Sequence, residues 1–242
     1  MKTNVVYFEE IDSTNRAAKQ MAGEGAPEGT LLIAGKQSGG RGRLGRDFYS
    51  PEGGIYMTMI LRPRLRAEQA VLVTTAAAVA VSRAIEKVYG VSAQIKWVND
   101  IFTEGKKVCG ILAEAGNYDE KGIPGYIVLG IGVNTKEQII PAELESIVGC
   151  LEQFSDRRFE NRVLIDRIWE EFGRLYEHLT EAAFMEEYKK RSLLLQKTVT
   201  VCAPEGDYVA LVKDIDSEGH LILEVNGAKR TLSAGEVSIR LR

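Results

Sequence analysis

The chain has 242 residues, 45% hydrophobic and 27% charged, with a formal net charge of -3 and a pI near 5.7. That balance excludes a disordered or collagen-like chain and gives no global attraction to nucleic acid or anionic lipid, so any anion site has to be a local cluster of cations. Cys109, Cys150 and Cys202 lie far apart with no CxxC pair, which argues against a zinc site and a disulfide framework. No apolar signal-type segment or bilayer-length apolar run occurs, and a soluble protein of the reducing cytoplasm is expected.

In chain order, Val5 to Phe8 form a short apolar strand, and Asp12-Ser13-Thr14-Asn15 offers helix-capping side chains before the helix formers Arg16 to Ala22. Thr30 to Ala34 is a buried-strand run leading into a glycine- and arginine-rich stretch from Ser38 to Arg46. Gly54 to Leu61 predicts a strand, and the alanine-rich Glu68 to Tyr89 a long helix stopped at Gly90. Gln94 to Trp97 and Val108 to Ala113 are expected as strands joined through a turn that contains Asn99-Asp100 and Thr103 to Lys107. Tyr126 to Val133 is another apolar strand, and residues 160–191 carry two amphipathic helical patterns. From Lys197 onward, five short β-rich runs separated by turn residues such as Asn226-Gly227 predict a small β-barrel. The expected architecture is α+β: a mixed-sheet catalytic domain packed with helices over residues 1–192, and a small C-terminal barrel over residues 193–242.

Within the glycine-rich stretch, Gly40-x-Gly42-x-x-Gly45 matches the dinucleotide fingerprint by pattern alone. A Rossmann unit needs a helix opening after the glycines and an acidic residue about 20 positions on, yet Leu61-Arg62-Pro63-Arg64 occupies that distance. A P-loop is also missing, since no Gly-Lys-Ser/Thr follows. What remains is a backbone able to approach a ligand closely, carrying the guanidinium forks of Arg41, Arg43 and Arg46, which suits a multiply anionic substrate. The same residues could form a solvated hairpin tip, just as Asn99-Asp100 alone could be a simple turn; their order along the chain gives them weight.

Asp12-Ser13-Thr14-Asn15, Gly40-Arg41-Gly42-Arg43-Leu44-Gly45-Arg46, Lys96-Trp97-x-Asn99-Asp100, Lys107-x-x-Gly110-Ile111-Leu112 and Gly130-Ile131-Gly132-Val133-Asn134, in that order, resemble the biotin protein ligases. The resemblance is dense over residues 7–134, and the later helices and terminal barrel match by element order. It implies the biotin/lipoate ligase fold, related to class II aminoacyl-tRNA synthetases, with an SH3-like terminal barrel. The implied substrates are biotin and ATP with Mg2+, and the implied partner is a biotin carboxyl carrier protein modified on a lysine. The enzyme would act as a monomer or homodimer.

By resemblance, Ser13, Thr14, Gln37, Gly40, Arg41, Lys107 and Gly110 surround biotin, with Arg41 also near its carboxylate. Arg43 and Arg46 hold phosphates, Phe48 covers the adenylate, and Lys96, Asn99 and Asn134 seat the nucleotide. Lys107, Arg43 and Arg41 are the implied catalytic residues, and Asp100 would contact a metal or the acceptor lysine. Two positions depart from the family pattern: Val98 stands where many members have proline, and Phe48 where many have tryptophan, which keeps an aromatic face of smaller area. The chemistry needs such cations because a carboxylate must attack the α-phosphorus of ATP, and the mixed anhydride formed must be shielded from water.

A lipoate or octanoate ligase would share this logic with another acid, and lipoate-dependent pyrophosphate exchange indifferent to biotin would reveal one. A nucleic-acid-binding module built on the arginine loop is disfavoured by the net charge and would bind with a steep salt dependence set by Arg41, Arg43 and Arg46. Only twelve residues precede Ser13, too few for a helix-turn-helix, so no DNA-binding repressor activity is expected; tight, sequence-specific operator binding would contradict this. His178 and His220 are expected at the surface, and no nucleophile and base pair is evident.

Overall fold

The computed structural model describes residues 4–203, 206–233 and 238–241. Strands β1 (Asn4–Ile11), β2 (Thr30–Gln37), β3 (Ile55–Leu61), β4 (Gln94–Lys96), β5 (Asp100–Thr103), β6 (Lys106–Tyr118) and β7 (Pro124–Val133) form one sheet in the order β1-β2-β3-β7-β6-β5-β4. β1 and β2 are parallel, as they must be with helix α1 (Thr14–Gly23) crossing between them, and the other pairings are antiparallel.

The apolar runs of β3 and β7 are continuous because both faces of the sheet are covered. On one face α1 brings Ala18 and Ala22 against Leu32, Ile60 and Val128. On the other, α2 (Val71–Tyr89) lies almost wholly buried over Met57, Met59, Ile111, Leu129 and Ile131, with α3 (Asn161–Glu177) and α4 (Met185–Lys190) outside it. Small alanines along α2 let it sit close to the sheet, and Gly90 ends it in a left-handed cap. One turn of 3-10 helix over Ala67–Ala70 precedes α2, so the expected helix from Glu68 starts as a tighter coil.

Strands β8 (Thr198–Cys202), β9 (Tyr208–Ile215), β10 (Leu221–Val225), β11 (Ala228–Leu232) and β12 (Ser238–Leu241) make an antiparallel sheet in the order β11-β10-β9-β8-β12. Its inward residues Val199, Val201, Val212, Ile215, Leu221 and Leu223 belong to the same apolar core as α2 and the large sheet. One expectation fails between β4 and β6. Asn99-Asp100 and the residues after them do not form a single turn. Asp100 opens strand β5, which pairs with β4 and β6, and only Glu104-Gly105, both at positive φ, make the turn. The run Ile101-Phe102-Thr103 is too short to stand out by periodicity, yet all three are buried.

The helical layer hides a carboxylate. Glu171 of α3 is 1% exposed and is met by Lys87 of α2 at 2.5 Å, Arg174 at 3.3 Å and Arg83 at 3.7 Å. Burial pushes its pKa up, but these cations outweigh it and the net shift is downward; Glu187, held by Arg83 and Arg191, behaves the same way. A carboxyl whose pKa is lowered on folding contributes stability above its unfolded pKa and loses it as the pH falls through the folded one. The thermal midpoint is therefore expected to drop steeply below about pH 4.3, the ordinary glutamate value. Calorimetry from pH 6 to pH 3 should show a shallower drop for Glu171→Gln than for the wild type.

Candidate active site

Helix α1 starts beside the carboxyl end of β2, and its first residues form the floor of a pocket. The Ser13 side chain caps the helix, accepting from the Arg16 amide at 3.5 Å. Thr14 donates its amide and its hydroxyl to Oε1 of Gln37, at 2.8 and 3.0 Å. The Thr58 hydroxyl lies 2.8 Å from the Thr14 hydroxyl and 2.7 Å from Oδ1 of Asn15. Asn15 in turn donates to Glu114 at 2.8 Å and to the Leu112 carbonyl at 3.2 Å. This buried network fixes a polar floor whose every member has a partner, which rigidifies it.

Four glycines make room for neighbours. A Cβ on Gly130 would fall 2.1 Å from Oδ1 of Asn15. Gly110 and Gly132, facing each other across β6 and β7, form a flat bed for the Phe48 ring, where a Cβ would fall 2.8 and 2.5 Å from ring atoms. Gly40 is buried beneath the loop, where a Cβ would meet the Phe48 carbonyl at 2.4 Å and the Ser50 hydroxyl at 2.5 Å. It faces the loop, whereas Gln37, Arg41 and Gly42 line the pocket.

The arginine loop closes the mouth. Gly42 donates to the Arg46 carbonyl at 2.7 Å, Phe48 to the Gly40 carbonyl at 2.9 Å, and Leu44 and Gly45 take left-handed φ of 56° and 72°. No helix follows the glycines beyond the single 3-10 turn Arg43–Gly45, so the dinucleotide match is a coincidence of pattern. Arg43 points inward, with Nη1 3.4 Å from Oδ1 of Asn99; Arg41 and Arg46 are exposed at the rim. Burial lowers the pKa of the Arg43 guanidinium and nearby Asp100 raises it, but an arginine stays cationic at neutral pH.

Lys107 stands at the neck. Its Nζ is 2.7 Å from Oδ1 of Asp100 and 5.9 Å from the Phe48 ring centroid. On one side lies the pocket just described, also lined by Lys96, Trp97, Asn99, Asp100, Gly110 and Tyr56. On the other lies a more apolar cleft formed by Phe48, Tyr49, Asn134, Ile140, Leu144 and Val148. Asn134 therefore sits across Phe48 from the other candidates, with its amide on the Gly149 carbonyl at 3.2 Å. Lys96 is at the pocket wall, its ammonium 5.7 Å from the Phe102 ring.

The structure thus brings Ser13, Thr14, Gln37, Arg41, Arg43, Arg46, Phe48, Lys96, Asn99, Asp100, Lys107 and Gly110 around one pocket. Sequence reasoning left out Asn15, Tyr56, Gly130 and Gly132 as site residues, although all but Tyr56 fall inside the quoted motifs. His178 is exposed beside Glu181, whereas His220 is half-buried and bonded to Asp216 at 3.1 Å.

The model of the Biotin/lipoate A/B protein ligase family matches residues 7–134, and that of the Biotin protein ligase C terminal domain matches residues 194–240. The chain belongs to the biotin protein ligase family. It is 34% identical over 239 residues to the bifunctional ligase/repressor BirA of Bacillus subtilis, covering 97% of this chain and 74% of that protein. It is 30% identical to a biotin--[acetyl-CoA-carboxylase] ligase of Mycobacterium tuberculosis, covering 93% and 85%. Among solved structures, the biotin protein ligase from Aquifex aeolicus in complex with biotin and ATP superposes with a TM-score of 0.82 at 27% identity over 99% of both chains. Like other biotin protein ligases, this one combines the mixed sheet with a terminal all-β unit, and among its described residues no helix is long and apolar enough to cross a membrane.

Proposed function

We propose that this biotin protein ligase forms biotinyl-5'-adenylate from biotin and ATP and then transfers biotin to a lysine of a carrier protein. The observation that carries the reading is the pair of clefts joined at Lys107, one polar-floored with a cationic mouth and one apolar. A biotin carboxylate lying at the neck reaches an ATP whose adenine occupies the apolar cleft. Its relatives' names and a solved biotin and ATP complex point the same way.

In this reading Ser13, Thr14, Gln37 and the Gly110 backbone hold biotin, and Phe48 with Asn134 seats the adenine. The biotin carboxylate oxygen attacks the α-phosphorus and pyrophosphate leaves, while Lys107, Arg43, Arg41 and Arg46 offset the charge on the phosphoryl oxygens. Asp100 aims Lys107 through their ion pair. Asp47 and Asp100, the carboxylates lining the pocket, would hold magnesium, which would supply further positive charge beside the phosphates. An acceptor amine then attacks the acyl carbon and AMP leaves, with no covalent enzyme intermediate.

Among the described residues, a strand edge without a strand partner lies beside the acceptor's approach. β5 partners β6 only up to Gly110, whereas β7 accompanies β6 to Tyr118, so Ala113 to Asn117 offers an edge to an extended segment of the carrier. Residues 1–192 and 193–242 act as one catalytic unit in this reading, because they share a core. The three cysteines are free, which suits a reducing cytoplasm. Pyrophosphate exchange tests the first step: it should depend on biotin and be silent with lipoate, and a purified biotin carboxyl carrier domain should acquire biotin. Exchange with lipoate that ignores biotin would reject the reading.

A further inference from the structure

The Lys96–Asp100 corner turns Asn99 and Asp100 towards the cations of the pocket and buries Trp97 and Val98 before them, Trp97 also reaching the pocket wall. Asn99 and Asp100 face Arg43 and Lys107, at 3.4 and 2.7 Å. From the front the corner is held by β6: the Ile111 amide donates to the Asn99 carbonyl and the Asn99 side-chain amide to the Ile111 carbonyl, each at 2.9 Å. From behind, two contacts come from the C-terminal part of the chain. The hydroxyl of Tyr188, a fully buried residue of α4, donates to the Val98 carbonyl at 3.0 Å. The Trp97 indole N–H donates to the Gly219 carbonyl at 2.9 Å, also in a buried setting.

Neither anchor is loose. Gly219 lies in a turn whose ends are tied by Asp216: its side chain accepts from the amides of Glu218 and His220 at 3.0 and 2.8 Å, and its carbonyl accepts from the Gly219 amide at 3.1 Å. That turn is seated on Val71 and Thr75 of α2. Tyr188 is enclosed by the core, and its bond to the Val98 carbonyl sets it directly behind the peptide that leads into Asn99. A carbonyl at a strand end can rotate unless something grips it, and rotation of the Val98–Asn99 peptide would swing both pocket side chains.

We propose that Tyr188 is a positioning residue for adenylate formation: its hydroxyl, with the barrel turn's grip on Trp97 as second anchor, holds the corner so that Asn99 and Asp100 meet Arg43 and Lys107. The proposal rests on the ligase reading above. It also gives the terminal barrel a task at the site, since its turn holds the segment carrying two pocket residues.

Tyr188→Phe keeps the ring and removes only the grip. It is expected to slow single-turnover adenylate formation about tenfold, while the fraction of chains that bind biotin and the biotin KM stay at wild-type values, because the Thr14–Gln37–Thr58 floor does not touch the corner. Combined with Asn99→Ala, the losses should be strongly non-additive, since both act through one corner. An unchanged rate, a loss matched by an equal loss of biotin-binding chains, or additive losses would each overturn the proposal. If Tyr188→Phe does not fold, the same measurements on Tyr188→Leu, which also removes the hydroxyl that grips Val98, decide by the same outcomes. Absence of biotin-dependent exchange in the wild type would overturn the ligase reading itself, a failure distinct from a variant that matches an active wild type.

Discussion

Lys107→Ala is expected to slow adenylate formation by about 10²–10³ while leaving biotin affinity within a few-fold of wild type. The magnitude follows from removing one preorganised cationic donor aimed at charge that develops in the transition state, a loss of about 3–4 kcal/mol. Lys107 fits that description because Asp100 fixes its ammonium at 2.7 Å and both clefts meet at it. Biotin's distal contacts belong to the separate floor around Thr14 and Gln37, so they survive the change. Arginine at this position should not restore the rate, since a larger planar fork cannot occupy the place of a compact ammonium packed 3.4 Å from the Cβ position of Gly110. Single-turnover formation of the adenylate, with biotin binding measured by calorimetry, separates the two effects; a retained rate would remove Lys107 from the chemistry.

How much of this was legible beforehand differs between fold and site. The strands with continuous apolar runs and the alanine-rich α2 could be read from periodicity, because burial on both sides leaves no polar alternation to mistake. β5 could not: four residues after a turn-forming Asn99 carry no period, and they become a strand through β4 and β6 on either side. In the site, the motifs already marked Arg43, Lys107 and Asn99, but not why Gly130 and Gly132 recur between apolar residues. Their reason is tertiary, since one lies under Asn15 and the other under Phe48. Asn134 could be marked as a nucleotide residue but not placed, because only the fold shows that Phe48 divides it from the arginine loop. Tyr188 was invisible for a similar cause: a tyrosine at an apolar helix position looks like any core residue until its hydroxyl is seen on Val98.

Those two glycines should respond oppositely to the same substitution. β7 is held on both sides at Gly132, by Tyr56 of β3 and Gly110 of β6, so an added methyl cannot be relieved by backbone movement. The Phe48 ring, 2.5 Å from the new Cβ and only half-buried, gives way instead. Gly132→Ala is therefore expected to cost only about 1 kcal/mol, the low end of overpacking, while raising the ATP KM at least about tenfold as the ring leaves its bed and intrudes on the cleft it should line. At Gly130 the obstructing atom is Oδ1 of Asn15, 2.1 Å from the new Cβ, buried and tied to Thr58 and Glu114 through its own amide. It cannot step aside without breaking those bonds, so Gly130→Ala should cost about 3 kcal/mol and appear mainly as a lower thermal midpoint. Phe48→Ala provides the control, for in that background Gly132→Ala should change neither stability nor ATP KM appreciably, whereas Gly130→Ala should remain as damaging as before. Thermal unfolding and ATP titration of the five variants measure this; an equal effect of Gly132→Ala with and without the Phe48 ring would show that the clash lies elsewhere.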